Sequence, residues 1–243
     1  MSPEARPKKE TPPQEGVGPE MLSPERLMNP SYVGGDPTSS DERPKRVIAY
    51  IDGFNMYFGL REKKWRKYYW YDPSALVRNL AKPDQQVAVV KFFTSRVVEN
   101  QAQQKRQSVY LDALRALGCC ELIYGQYLSK PQQCSKCGYV GVFFHEKKTD
   151  VNIAVEMLAD AFEDRYDVAM LISGDSDLAS PIERIRRLFP KKRVVVAFPP
   201  GRKSEHLAKL AHGSFMIGEG KLGKSLLPAE VKADGITLRS PWH

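Results

Sequence analysis

The chain has 243 residues, of which 42% are hydrophobic, so it can form one medium-sized α/β domain with a tail or two small domains. It has no run of about 18 apolar residues and begins without an apolar export signal, which argues against a membrane span and predicts a cytoplasmic protein. The net charge of +8 is uneven, because residues 1–46 carry −1 and the remaining 197 residues carry +9. A basic body suits an anionic polymer, although a solvated basic surface explains the charge equally well.

The chain divides into three predicted regions. Half of the 18 prolines lie within residues 1–46, where apolar residues are few. Such a segment buries too little surface to offset the entropy lost on ordering, so a disordered tail is predicted over residues 1–45. A folded domain is predicted over residues 46–218, followed by a C-terminal extension over residues 219–243.

Within the folded domain, apolar runs rich in Val, Ile and Phe predict strands. These runs are residues 46–52, 86–97, 120–128, 166–175, 193–198 and a short closing strand at 215–218. Helical spacing predicts helices between them, over residues 76–81, 101–117 and 150–164, around 180–188 and from about 204. This alternation predicts an α/β fold with a mainly parallel sheet and helices on both faces, plus a Cys-containing hairpin over residues 129–145.

Two helices have detailed predicted features. An apolar face is predicted for the helix over residues 150–164, because apolar residues recur there at helical intervals. Its members are Val151, Val155, Leu158 and Phe162. In the next helix, Ser180 and Glu183 resemble a capping box, with Pro181 at the first helical position.

Acidic residues gather near predicted strand ends. Asp52 ends the first strand, Asp175 and Asp177 follow the fourth, and Asp150 opens the helix before the fourth strand. The carboxyl ends of parallel strands form one edge, so these carboxylates are expected to lie together. Because they would repel one another, a hard cation such as Mg²⁺ or Mn²⁺ is expected among them, where it would activate water against a phosphodiester.

Each acidic residue also has a local explanation. Asp52 and Asp175 suit turns, whereas Asp150 and Asp177 suit helix starts. Neutral neighbours are expected to support the carboxylates or to make local hydrogen bonds of their own. These neighbours are Asn55, which is placed in the catalytic set, and Asn152 and Ser173.

Four segments together resemble a NYN domain of the LabA-like branch of the PIN-like nuclease superfamily. They are YIDGFNMYFGL, EKKTDVNIAVEMLADAF, DVAMLISGDSDLASPIERIR and VVVAFPPGRKSEHLAKLA, and the similarity runs from about residue 46 to 218. PIN-like nucleases bind Mg²⁺ or Mn²⁺ through acidic residues at strand ends and cut RNA. The resemblance therefore implies metal-binding roles for Asp52, Asp150 and Asp175, with Asp177 alongside.

The four cysteines raise a separate metal question. Cys134 and Cys137 have the spacing of half a zinc site, but a closed structural zinc needs four ligands and no second such pair is present. His145 and one of the adjacent Cys119 and Cys120 are the available additional ligands. Two reduced thiols in a loop are the alternative, and redox use is a third.

Basic and aromatic residues interleave between residues 61 and 71, a mixture that suits single-stranded or loop RNA, although the aromatics also suit the core. The predicted RNA contacts are Lys63, Lys64, Arg66, Lys67, Arg202 and Lys203. His206 and His212 have no predicted partner. The sequence does not predict an oligomeric state.

The leading hypothesis is a metal-dependent endoribonuclease that uses metal-activated water and forms no covalent intermediate. The alternative is a non-catalytic RNA-binding or regulatory module that retains the acidic pocket. A phosphatase of the haloacid-dehalogenase type is disfavoured, because Asp52 is followed by Gly-Phe-Asn and not by a second Asp two residues later.

Overall fold

The structure is a computed structural model that describes residues 43–97, 100–133, 137–138, 140–233 and 235–242. The side chains of residues 127–133 and 140–147 are not described. Almost all of the tail predicted over residues 1–45 therefore lies outside the described residues, and its disorder stays a prediction.

A six-stranded parallel sheet forms the centre of the domain, as the alternating pattern predicts. Its strands are β1 (Lys45–Asp52), β2 (Gln85–Thr94), β3 (Glu121–Tyr124), β6 (Val168–Ile172), β7 (Arg193–Phe198) and β8 (Gly213–Met216). The spatial order is β3-β2-β1-β6-β7-β8, so the chain builds outward from β1 in one direction and then from β6 in the other. This is a doubly wound arrangement.

Helices cover both faces of the sheet, which confirms the predicted fold class. They are α1 (Gly53–Glu62), α2 (Pro73–Leu80), α3 (Gln101–Leu117), α4 (Thr149–Phe162), α5 (Ala179–Leu188), α6 (Glu205–Leu210) and α7 (Glu219–Gly223). One apolar cluster joins the sheet to α1, α2, α3 and α7, and the other joins it to α4, α5 and α6. We call these the α3 face and the α4 face.

Strand β1 contributes to both faces because successive side chains of a strand alternate. Val47 and Ile51 pack into the α3 face, whereas Ile48 and Tyr50 pack into the α4 face. All four are at most 1% exposed, as the continuous apolar run of a central parallel strand requires.

The predicted hairpin is present, but the strand before it is shorter than predicted. Strands β4 (Gln126–Gln133) and β5 (Val140–Lys147) pair antiparallel apart from the main sheet. The single strand predicted over residues 120–128 is wrong, because β3 ends at Tyr124 and the chain leaves the sheet at Gly125.

The apolar face predicted for α4 is wrong except at Leu158, which packs partly buried against the α4 face. Val151, Val155 and Phe162 are 61%, 56% and 81% exposed, whereas Ile153 and Met157 are fully buried. The buried side of the helix also carries Asp160, which pairs with Lys91 of β2 as described below.

The capping box predicted at Ser180 is not formed. A 3₁₀ turn at Ser176–Leu178 leads directly into α5, so the helix begins at Ala179 and has no side-chain cap. Ser180 and Pro181 therefore lie inside the first helical turn.

The C-terminal extension packs against the α3 face. Leu227 and Val231 are buried there, and Trp242 packs partly buried against the same cluster. The extension also contains β9 (Glu230–Ala233) and β10 (Ile236–Arg239), which pair antiparallel. Among the described residues, none of the helices has both the length and the apolar character that crossing a membrane requires.

Candidate functional site

The acidic residues lie at the point where the order of the sheet reverses. Strands β1 and β6 are neighbours there, and the chain leaves them toward opposite faces. Such a reversal opens a crevice at the carboxyl ends of the two strands, where ligands bind in open α/β sheets. Asp52 is the last residue of β1, and Asp175 follows β6 by three residues.

Asp52 is the most buried of these carboxylates, with 5% of its surface exposed. Its Oδ1 accepts a hydrogen bond from the Asn55 backbone N–H at 2.9 Å, and its Oδ2 accepts one from the Ser173 hydroxyl at 3.0 Å. The pKa of Asp52 is raised to about 7, mainly by burial and also by the charges of Asp150 and Asp175, while the two hydrogen bonds act to lower it. The ionised form of Asp52 is thus disfavoured in the folded protein, and a bound cation would stabilise it.

Asp150 is brought to the same edge by helix α4. The preceding residue, Thr149, is buried and its hydroxyl lies 3.4 Å from that of Ser95, just after β2. Asp150 stands in the first turn, where the helix dipole favours a negative charge. The predicted first-turn explanation therefore holds, together with electrostatic contact with Asp52.

A buried ion cluster holds α4 against the sheet. The Lys91 ammonium is 2.6 Å from both Glu156 and Asp160, and Lys91 is only 1% exposed. Asp160 also accepts hydrogen bonds from the Tyr50 hydroxyl at 2.7 Å and from Arg165 at 2.8 Å. The sequence did not indicate this cluster, because Lys91 stands within an apolar run. The spacing of Glu156 and Asp160, one helical turn apart on α4, was the feature that could have predicted it.

Asp175 and Asp177 differ in their surroundings. The Asp175 carboxylate accepts a hydrogen bond from the Asp177 backbone N–H at 3.0 Å and so caps the 3₁₀ turn. Asp52 likewise caps α1. Asp175 therefore has the turn role that was the local explanation, whereas Asp52 caps a helix where a turn was expected, and Asp177 is exposed to solvent.

Asn55 and Gly174 join the two strand ends. The Asn55 side-chain oxygen accepts a hydrogen bond from the Gly174 N–H at 3.0 Å. A methyl group on Gly174 would overlap the backbone oxygen of Arg202, so only glycine allows the loop after β7 to lie this close. Asn152 is directed elsewhere, since its amide donates to the Tyr124 carbonyl at 3.3 Å.

The donor chemistry of this edge fits Mg²⁺ or Mn²⁺, because it offers several carboxylate oxygens and one buried carboxyl with a raised pKa. Within the described part of the chain, however, no three His, Cys, Asp or Glu side chains lie close enough to ligate one ion together. Mg²⁺ commonly keeps several waters and uses one or two carboxylates, so the arrangement fits a hydrated ion and not an all-protein cage.

The predicted RNA-binding cations divide into two groups. Lys67, Arg202 and Lys203 form ion pairs with Glu219, Glu62 and Glu205 at 3.1, 3.1 and 2.8 Å. Lys63, Lys64 and Arg66 are exposed and form no ion pair with any described residue.

The aromatics of this stretch instead serve the core. Tyr68, Trp70 and Tyr71 are at most 7% exposed, as the packing explanation for residues 61–71 requires.

Two of the predicted zinc ligands, Cys134 and the side chain of His145, lie outside the described residues, so the zinc site stays a prediction. Cys137 is an exposed free cysteine, whereas Cys119 and Cys120 are free and partly buried. His212 accepts a hydrogen bond from the Val194 N–H at 3.0 Å, and His206 is exposed.

Comparison with known proteins identifies sequence relatives of the whole domain. The family model of the NYN domain matches residues 46–217. The chain is 28% identical over 249 residues to 6-hydroxy-3-succinoylpyridine 3-monooxygenase HspA of Pseudomonas putida, covering 84% of this chain and 77% of HspA. It is 24% identical over 144 residues to the low amplitude and bright protein LabA of Synechococcus elongatus, covering 59% of this chain and 69% of LabA.

A structural relative shares the fold. A crystal structure of a protein of unknown function from Vibrio parahaemolyticus superposes with a TM-score of 0.52 at 22% identity. The match covers 78% of this chain and 99% of that one.

Proposed function

The chain belongs to the NYN domain family, in its LabA-like branch, and from that membership we propose that it is a metal-dependent endoribonuclease. The family is nuclease-like, and the proposal adds the substrate, RNA, and the metal, Mg²⁺ or Mn²⁺. The single observation that carries it is the buried Asp52 carboxyl at the sheet reversal, whose pKa neighbouring carboxylates help to raise.

In the proposed reaction, Asp52 would be the principal residue that holds the metal, and Asp150 and Asp175 would support it. When bound, the metal would supply a water of lowered pKa and would stabilise negative charge on the phosphodiester. Ser173 and the Asn55 backbone hold the Asp52 carboxylate in one orientation through the hydrogen bonds at 3.0 and 2.9 Å.

The outer residues of the site take supporting roles. Asp177 is exposed to solvent and would act on the hydration of the metal. Of the six cations predicted to bind RNA, Lys63, Lys64 and Arg66 form no ion pair with a described residue, so they are the proposed phosphate contacts. Lys67, Arg202 and Lys203 would have to exchange their glutamate partners for RNA.

Cleavage of a mixed-sequence single-stranded RNA tests the proposal. The purified full chain is assayed with Mg²⁺, with Mn²⁺ and with EDTA, beside the Asp52→Asn and Asp84→Asn variants. Asp84 is a matched control, because it precedes β2 at the opposite edge of the sheet and pairs only with Lys45 on the surface. We expect at least a roughly 100-fold loss for Asp52→Asn and none for Asp84→Asn.

The assay also separates the non-catalytic alternative. RNA binding by the parent protein without metal-dependent cutting would favour a binding module. Cutting that persists in EDTA or in Asp52→Asn would contradict the catalytic assignment.

A monooxygenase activity is the second candidate. It is favoured by the similarity to HspA, which covers more of the chain than the family domain does. The test supplies 6-hydroxy-3-succinoylpyridine, dioxygen and a reduced nicotinamide, and follows oxygen uptake together with loss of the pyridine. Oxygen uptake that requires the pyridine substrate would support the monooxygenase candidate. If a preparation that cuts RNA shows no such uptake, the monooxygenase candidate is excluded.

A further inference from the structure

A second concave site opens at the carboxyl ends of β1 and β2, on the α3 face of the sheet. Its volume is about 100 Å³, roughly two thirds of the ~150 Å³ cavity that accommodates a benzene ring in another protein, so it holds at most one ring. Gly53, which directly follows Asp52, lines this site, and so does Thr94 at the end of β2. The site therefore adjoins the acidic crevice but faces away from it. We call it the aromatic pocket.

Aromatic residues are seven of the fifteen residues that line the pocket. They are Phe54, Tyr57, Tyr69, Tyr71, Phe92, Tyr110 and Trp242. Neighbouring rings contact one another, with centroids 5.1 Å apart for Tyr57 and Tyr69 and 5.6 Å apart for Tyr69 and Trp242. A wall of mutually packed rings is rigid and suits stacking against another flat ring.

One polar atom in this wall lacks a well-aligned hydrogen bond. The Tyr71 hydroxyl is buried and forms no such bond with a described residue, although the Tyr110 side chain lies close enough to interact with it. The nearby Tyr110 hydroxyl donates its proton to the Tyr71 carbonyl oxygen at 2.9 Å. A buried polar group without a partner is destabilising, so the Tyr71 hydroxyl is a site where a ligand atom would be stabilised.

The charges around the pocket are positive. Arg106 lines it, is half-buried and forms no ion pair with the described residues. A cleft of about 460 Å³ adjoins the pocket and shares Val97, Gln107 and Leu111 with it. Arg96 and Lys105 line this basic cleft, and among the described lining residues of both sites none is acidic.

We propose that the aromatic pocket binds one planar aromatic ring whose anionic substituent pairs with Arg106, with the Tyr71 hydroxyl bonded to a polar atom of the ring. The geometry requires no metal and no cleavage, so this binding is independent of the nuclease activity proposed above. A ring of this kind is provided either by an unstacked base of RNA with its phosphate or by a free aromatic acid.

The basic cleft distinguishes these two sources. A nucleotide within a strand continues through further phosphates, which Arg96 and Lys105 would meet in the cleft. A free aromatic acid ends at Arg106 and leaves the cleft empty. Substitution of the cleft cations therefore weakens binding of an oligonucleotide only.

Titration calorimetry with the full chain in EDTA tests the proposal. The probes are uridine 5′-monophosphate, hexauridylate and nicotinate, each titrated into the parent protein and its Arg106→Gln and Tyr71→Phe variants. Arg187→Gln is the matched control, because it removes the same charge from an exposed position on α5, across the sheet.

At least one probe should bind, about tenfold more weakly to Arg106→Gln and about fivefold more weakly to Tyr71→Phe, with Arg187→Gln unchanged. If the Arg96→Gln and Lys105→Gln double variant binds hexauridylate more weakly than the parent does, the site is assigned to RNA. If nicotinate binds and the double variant leaves its affinity unchanged, the site is assigned to a free aromatic acid. The proposal is overturned if no probe binds at millimolar concentration, or if binding is the same in Arg106→Gln, Tyr71→Phe and the control.

Discussion

The acidic crevice and the aromatic pocket adjoin one another, yet they are built in opposite ways. In the crevice, the buried carboxylate of Asp52 receives a hydrogen bond on each oxygen, from Asn55 and Ser173. In the pocket, a wall of rings surrounds the Tyr71 hydroxyl, which forms no well-aligned hydrogen bond with a described residue. The crevice is short of positive charge, whereas the pocket has Arg106 and no described acidic residue in its lining.

This contrast shows how one sheet edge provides two different environments. The helices that leave β1 and β2 cover the α3 face and carry three of the pocket aromatics, Phe54, Tyr57 and Tyr110, while α4 brings acidic residues to the other face. Both sites exclude water from a polar group. In the crevice this raises the pKa of the Asp52 carboxyl, and in the pocket it leaves the Tyr71 hydroxyl without a hydrogen bond to water. Each site should therefore respond to its own substitutions.

Substitution of Lys91 should have the largest effect, and only on the acidic side. Lys91→Met leaves Asp160 buried with Tyr50 and Arg165 as its remaining partners, so we expect a loss of about 3–4 kcal/mol in the free energy of unfolding. Urea denaturation measures this loss. Because α4 carries Asp150, RNA cleavage should fall as well, while ring binding in the pocket stays unchanged.

Lys45→Met is the control for that experiment. Lys45 pairs with Asp84 at 3.1 Å, but both side chains are more than half exposed, so the loss should be below about 1 kcal/mol. An equal loss in the two variants would show that the Lys91 cluster does not stabilise the fold as we infer.

The Asp52→Asn substitution should have the next largest effect, and it should depend on pH. The folded-state pKa of Asp52 is about 7 against an ordinary value of 3.8, so the folded protein binds more protons than the unfolded chain in this window. The parent should therefore lose stability as pH rises from about 4 to 7, and Asp52→Asn should not show this loss.

Urea denaturation at pH 5 and pH 8 measures the difference. The stability of Asp52→Asn relative to the parent should be about 2–3 kcal/mol more favourable at pH 8 than at pH 5. Added Mg²⁺ should reduce this difference at pH 8, because an ion bound at Asp52 stabilises the parent alone. A difference that does not change with pH would contradict the raised pKa.

The crevice could be predicted from the sequence because its positions are local. Asp52 and Asp175 directly follow apolar runs, and the alternation of strands with helices places the ends of those runs at one edge. The doubly wound sheet and the end of α3 at Gly118, which has a φ of 57°, follow from equally local patterns. The metal and the catalytic roles stay predictions.

The pocket could not be predicted because its residues meet only in the folded chain. Tyr57, Tyr110 and Trp242 come from α1, α3 and the C-terminal extension, and no short motif joins them. The orientation of α4 was missed for a related reason. Apolar spacing favoured Val151 and Phe162 as its buried residues, but Ile153 and Met157 have the same helical spacing. Only the fold places those two residues against the sheet, together with Asp160, the partner of Lys91.

A methyl group at Gly174 should have a smaller effect, again on the crevice. Gly174→Ala overlaps the backbone oxygen of Arg202, so the loop after β7 must move, at an expected loss of about 2 kcal/mol in the free energy of unfolding. RNA cleavage should fall with it. Gly213→Ala is the control, since a methyl group there meets no atom within 4 Å, and its stability should stay within about 1 kcal/mol of the parent.

The smallest effect should come from Tyr71→Phe, and its sign distinguishes the pocket from the crevice. The substitution removes a buried hydroxyl that has no hydrogen bond, so the free energy of unfolding should rise by up to about 1 kcal/mol. Ring binding should weaken in the same protein. If Tyr71 had only a structural role, its substitution would not raise the stability of the protein and weaken ring binding together. If its hydroxyl binds the ligand and is otherwise unbonded, the substitution should do both. A loss of stability in Tyr71→Phe would mean that the hydroxyl has a partner in the folded protein, and the pocket would then lose its main polar contact for a ligand.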